Sequence, residues 1–359
     1  MGEGVNREIF SKRDTNIVKG IAVLAMVFHH TYPNNPGLPI NYAEQGAFYL
    51  LLAEAGKVCV SLLTILSGYG LTKSWNNEMS SIKSKKSRLI GGFIFSIEHY
   101  IQLLSMYWCV LLFCYMSRFI TGNTIMSIYG SGNKAVTAMI LDILGIGYIL
   151  KSTTFVGGWY LSSIILLYFL FPLLWLIVKK ASYVALIILY LPWVYYICKQ
   201  DYGMHTDWWL FYAFSFAFGI FLAESNCLSD IAKRLKNRQV IVIVMLISLI
   251  FIRGYIALPF DNAVAFAIII FEIIVINRQK AGFLNEIGIH SAHIWLLHTF
   301  IGTFTKEDVI NNHFLRFIFR VIVCSAISMF INRVKEGTNY NSMVKKFRKT
   351  VVDCLHSGL

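Results

Sequence analysis

Residues 19–30 read "KGIAVLAMVFHH". Everything between Lys19 and His29 is apolar or glycine, so the stretch has the character of a membrane helix with a cation at one end and two histidines at the other. Lys19 and His30 are eleven positions apart. At ~100° per residue this makes about three turns, so both side chains share one helix face, about 16 Å apart along the axis. His29 points about 100° away and is expected to be a structural partner. One reading is plain: a lysine at a span end snorkels to the interface, and a histidine at the far end can do the same. The other is functional. An ionisable residue inside a membrane marks a site by default, and histidine is the side chain best suited to general-base work near neutral pH.

The rest of the chain is consistent with this beginning. Its 359 residues are 57% hydrophobic and only 14% charged, with a mean hydropathy of +0.61. A soluble domain carries about 25% charged residues. Several apolar runs approach the ~20 residues needed to cross a bilayer. The expected fold is therefore all-α: a polytopic membrane bundle of about ten transmembrane helices. The first apolar stretch lacks a small-residue cleavage site and is followed by further spans, so it reads as a span and not as a signal peptide. The seven cysteines show no CxxC spacing and read as small hydrophobes.

Spans are expected at roughly 17–33, 56–74, 100–120, 157–178, 182–198, 207–225, 239–256, 258–277, 284–305 and 313–333. With the N-terminus in the cytoplasm, the cytoplasmic segments receive Arg7 to Lys19, Lys73 to Arg88, Lys179 and Lys180, Lys233 to Arg238, Arg278 and Lys280, and the tail from Arg333 to Lys349. Outer segments keep scattered single cations such as Lys134 and Lys151. Both termini then lie inside. Residues 136–150, "VTAMILDILGIGYIL", are apolar enough for an eleventh span, but counting them would put Lys179 and Lys180 outside and invert every later loop. They are expected to form a re-entrant or interfacial segment on the outer side. Residues 1–335 are expected to form one transmembrane domain. Residues 336–359 form a basic cytoplasmic tail whose "VKKFRK" is expected to lie against anionic lipid.

Lys19, ten intervening residues and His30 resemble the Arg/Lys-x10-His signature of the membrane-bound acyltransferase 3 family. Three further stretches extend the resemblance over nearly the whole chain. "GKVCVSLLTILSGYGL" (56–71) is similar to the family's second span, "GGWYLSSIILLYFLFPLLW" (157–175) to its Trp-Tyr-Leu…Pro segment, and "LNEIGIHSAHIWLLHTF" (284–300) to its late Ile-Trp-Leu-x-His segment. The resemblance implies an O-acyltransferase of the type that acetylates bacterial cell-surface glycans. Such an enzyme moves an acetyl group from cytoplasmic acetyl-CoA to a hydroxyl of an extracytoplasmic polysaccharide, with no permanently bound cofactor. It implies His30 as the essential histidine, Lys19 as its basic partner and His298 as a second candidate. A donor whose phosphates are held near Lys19 would present its thioester about 16 Å away, at His30.

Other residues carry two readings each. The cluster Lys83, Lys85, Lys86, Arg88 is either an ordinary positive-inside loop or, through Lys85 and Arg88, a site for CoA phosphates. Trp159 and Tyr160 are belt anchors or line the acceptor groove, since aromatic faces stack on sugar rings. Ser67-Gly68-Tyr69 is read as easing helix packing through small residues. Glu272, mid-span, is a structural hydrogen-bonding group or a proton-carrying one. Asp201, His205 and Asp207 sit in a short outer loop, solvated or touching the acceptor. No GxGxxG, GxxxxGK[ST] or Gly-x-Ser-x-Gly pattern occurs. The basic balance is assigned to the membrane and the donor, not to nucleic acid. A proton-coupled transporter or flippase for a glycan or small solute is the rival reading; repeated halves would favour it, and the sequence shows none.

Overall fold

A computed structural model describes residues 9–31, 47–79, 85–199, 208–256, 260–305 and 309–357. Every regular element among them is helical: α1 (Lys12–His29), α2 (Ala47–Ala55), α3 (Val58–Met79), α4 (Lys85–Ile120), α5 (Ile125–Tyr129), α6 (Gly132–Ile143), α7 (Gly158–Lys199), α8 (Trp208–Glu224), α9 (Cys227–Leu235), α10 (Gln239–Ile256), α11 (Asp261–Ile274), α12 (Gly282–Ile289), α13 (Ser291–Gly302), α14 (His313–Gly337) and α15 (Tyr340–Ser357). The all-α expectation holds among the described residues, and each expected span overlaps helix there. Four helical stretches are long and apolar enough to cross a membrane, 51–78, 90–120, 158–195 and 313–337, and a fifth counts if the bent pair 209–224 and 227–235 is one span. Several of the other expected spans are shorter as folded: α11 has 14 residues and α13 has 12. The chain is a multi-pass membrane protein.

Helix α7 has 42 residues. At ~1.5 Å per residue it would be about 63 Å long, roughly twice the ~30 Å hydrocarbon core. It does not run straight. Ser182, with φ 38° and ψ −105°, interrupts the helical path. Contacts with α8 show what happens there. In the first half Trp159 meets Tyr212, Phe171 meets Phe216 and Lys179 meets Glu224, so the two helices run the same way. In the second half Tyr183 meets Phe221, Tyr190 meets Phe214 and Trp193 meets Phe211, so they run opposite ways. The chain reverses at Ser182, beside Lys179 and Lys180, between the two expected segments.

Close packing relies on small residues, as the membrane demands where lipid offers no hydrophobic drive between helices. A Cβ on Gly68 would overlap the carbonyl oxygen of Phe216, and one on Gly219 would overlap that of Ile65. Helices α3 and α8 are thus backbone to backbone and antiparallel. Gly20 and Gly288 do the same for α1 and α12, against the carbonyls of Leu284 and Asn16.

The stretch 136–150 begins in α6, whose 12 residues reach only about 18 Å. It is pinned by its one carboxylate. Buried Asp142 accepts hydrogen bonds from Tyr107 Oη (2.9 Å), Tyr129 Oη (2.5 Å) and Phe155 N (2.9 Å). The expected span 284–305 is broken in two at His290 (φ −90°, ψ 0°), between α12 and α13. Gly288 precedes the break by two residues, and tertiary bonds meet it, with Ser328 Oγ at 2.8 Å from the Nδ1 atoms of both His290 and His293. The tail beyond residue 335 is folded. Helix α15 docks on α4 through Arg348, whose Nε is 2.9 Å from Glu98 Oε1 and whose Nη1 donates to Gln102 Oε1 at 2.9 Å, and through Tyr340 Oη on the carbonyl of Ser105 (2.8 Å).

Candidate functional site

Helix α1 carries the site and is well defined at both ends. At its start Ser11 and Asp14 form a reciprocal capping box, with Ser11 N donating to Asp14 Oδ2 at 2.7 Å. Asp14 also meets Arg278 Nε at 2.7 Å, and the same nitrogen lies 3.9 Å from Glu272 Oε1. Arg278 Nη2 donates to the carbonyl of Ile9. Glu272 therefore sits, fully buried, beside a guanidinium that ties α1 to the end of α11. At the far end His30 is the C-cap in right-handed helical geometry, its N–H donating to Met26 O. The helix is unbroken from Lys19 to His30, so the shared face and the separation of about 16 Å hold in the fold. Lys19 is half-buried.

The two histidines part company. His29 is buried, with Nδ1 2.7 Å from the carbonyl of Ala53, where Gly56 makes room for its Cβ. This is the structural role expected of it. His30 is exposed. Its ring centroid lies 4.9 Å from that of His298 on α13 and 4.9 Å from that of His29. His298 is buried, with Nδ1 2.5 Å from Trp295 O. A carbonyl only accepts, so Nδ1 carries the proton and Nε2 presents a lone pair. Among the described residues that Nε2 has no hydrogen-bond partner.

The aromatic pair lies in the same neighbourhood. Tyr160 is buried; its ring meets that of Trp295 edge-on at 5.1 Å, and its hydroxyl accepts from Thr64 Oγ1 at 3.3 Å. Trp159, half-buried, stacks on Tyr212 at 5.7 Å. His30, His298, Trp295, Tyr160 and Trp159 thus form one connected group where α1, α7 and α13 meet. Lys85 and Arg88 begin α4, and their side chains lie outside the described residues, as do Asp201, His205 and Asp207. Among the described residues no cluster of three or more His, Cys, Asp or Glu could hold a metal ion.

Three cations beside the site were not singled out from sequence. Arg316 and Arg320, four apart on α14, are both buried and reach the end of α1. Arg316 donates to Ile310 O (2.7 Å) and lies 3.5 Å from Thr31 O. Arg320 Nη1 donates to His30 O at 2.8 Å. Arg253, on α10, is buried and paired with fully buried Asp261 at 2.6 Å and with Glu54 at 3.7 Å, and Glu54 also meets Lys57 at 3.2 Å. Two arginines inside an apolar run were a readable signal of a buried polar site.

A histidine pair thus closes one helix, inside a bundle with a buried polar network. The sequence profile of the acyltransferase 3 family, described as an acyltransferase domain, matches residues 13–333. The chain belongs to this family and is a membrane acyltransferase. No curated protein and no solved structure matches it.

Proposed function

We propose that this acyltransferase moves an acetyl group from cytoplasmic acetyl-CoA to a hydroxyl of an extracytoplasmic polysaccharide: capsule, O-antigen or another glycan of a bacterial envelope. The observation that carries the reading is α1 itself, one unbroken helix with Lys19 and, about 16 Å along the same face, exposed His30 against His298. With both termini cytoplasmic, Lys19 faces the donor side and His30 the acceptor side. Lys19 orients the donor phosphates, and Lys85 and Arg88 are assigned to the same task. Trp159 and Tyr160 supply the aromatic wall for the acceptor.

His30 takes the proton from the acceptor hydroxyl as its oxygen attacks the thioester carbonyl carbon. The tetrahedral adduct collapses, the C–S bond breaks, and the CoA thiolate leaves with the proton that His30 had taken. His298, its lone pair turned free by the bond to Trp295, is the second histidine of the pair. The transport reading draws on Glu272, but that carboxylate lies beside Arg278 together with Asp14, which suits a helix-to-helix tie.

The test compares His30→Ala and His29→Ala at matched membrane abundance, reading glycan-linked acetate on producing cells against wild type and a deletion. Loss in the first with retention in the second is expected. Acetate unchanged in the deletion would remove this acceptor class.

A further inference from the structure

Arg320 stands apart from the histidines and aromatic rings around it. It lies in the apolar helix α14, 7% exposed, and the partners of its guanidinium are carbonyls and a hydroxyl. A buried cation is costly unless its protons find partners. Here they find main chain and hydroxyl: Nη1 donates to His30 O (2.8 Å), Nε to Thr305 Oγ1 (2.8 Å) and Nη2 to Thr305 O (3.4 Å). Gly302 lies alongside, where a Cβ would stand 3.5 Å from the guanidinium carbon. One rigid fork thus joins the C-cap residue of α1 to the segment that follows α13, the helix carrying His298.

We propose that Arg320 is a positioning residue for the transfer: it fixes the main-chain carbonyl of His30 and so sets where the imidazole meets His298 and the reacting hydroxyl. The inference rests on His30 being the base. Around His30 the neighbours are already tied, His29 to Ala53 O and Thr31 Oγ1 to Val27 O. Arg320 supplies the tie at His30 itself. Arginine is required for geometric reasons, because a planar guanidinium serves two partners at fixed angles whereas a lysine ammonium is a point charge on a flexible stem. A displacement of about 1 Å in a catalytic group costs about 100-fold in rate.

The experiment uses membranes containing the full chain, with labelled acetyl-CoA as donor and the membranes' own envelope glycan as acceptor. Arg320→Ala, Arg320→Lys, Thr305→Val and His30→Ala are compared at matched abundance. For Arg320→Ala we expect kcat to fall about 100-fold, with the KM for acetyl-CoA unchanged and partial recovery on adding methylguanidinium. Arg320→Lys should stay low. Thr305→Val, which keeps charge and size but removes one acceptor, should give an intermediate kcat. Transfer that survives His30→Ala would remove the base assignment. Transfer lost in His30→Ala but unchanged in kcat in Arg320→Ala would overturn the positioning role alone, as would a change confined to KM. Should Arg320→Ala fail to reach the membrane, an unchanged kcat in Thr305→Val overturns it.

Discussion

The N-terminal half of α1 lies backbone against backbone with α12, through Gly20 and Gly288. The C-terminal end hangs from side chains instead: His29 on Ala53 O, and Arg320 and Arg316 on the carbonyls of His30 and Thr31. The first kind of contact has no rotatable bonds and no polar groups to satisfy, so it fixes the helix axis. The second stands beside an exposed imidazole and buries two guanidinium groups. One helix therefore combines a rigid foot with a head that must be aimed, and perturbing the two ends should give different symptoms.

The largest effect is expected at the head. His30→Ala should lower acetyl transfer by about 10²–10⁴-fold, the range for losing a general base. His29→Ala should leave turnover nearly intact and lower stability by about 1–3 kcal/mol, because Ala53 O loses its buried partner. Purified protein melted in detergent, alongside an acetate assay, distinguishes the two. If both variants lost activity equally, the division between them would be wrong. At the foot, Gly288→Val should cut folded yield, since its Cβ would overlap Asn16 O; overpacking of this kind costs about 1–3 kcal/mol. Size-exclusion recovery reads it directly, and normal recovery would show that the foot is not rigid. Lys19→Met should raise the KM for acetyl-CoA about 10-fold, equivalent to about 1.4 kcal/mol, with kcat held; a kcat effect instead would move Lys19 from donor binding to chemistry. The smallest change is expected for Asn16→Ala, whose bond to Asn285 is long at 3.4 Å. A melting shift worth about 0.5 kcal/mol is anticipated.

Much of this was readable from residues alone, because periodicity and charge are local. The shared face of Lys19 and His30 follows from helix geometry, and the separate fate of His29 from its 100° offset. The basic pair Lys179-Lys180 marked the reversal that Ser182 makes, and Gly68 was legible as a packing residue. The break at His290 was not. Gly288, His290 and Ser291 stand in an otherwise apolar run there, but the partner that receives the broken turn is a serine 38 residues from His290 on α14. Arg316 and Arg320 were visible as charges in an apolar span, but their partners, the carbonyls of His30, Thr31, Thr305 and Ile310, are far away in sequence or anonymous main chain. Sequence patterns report which residues are unusual; they do not report which carbonyl an arginine will find.

The reversal at Ser182 also bears on how the protein is made. Two apolar runs joined by a single turn, with Lys179 and Lys180 beside it, emerge from the ribosome within a few tens of residues of one another. The first cannot settle as a lone span for long before the second arrives, and the paired lysines resist being carried across. The pair is therefore expected to enter the bilayer as a preformed hairpin, already shaped to receive α8 against both of its arms.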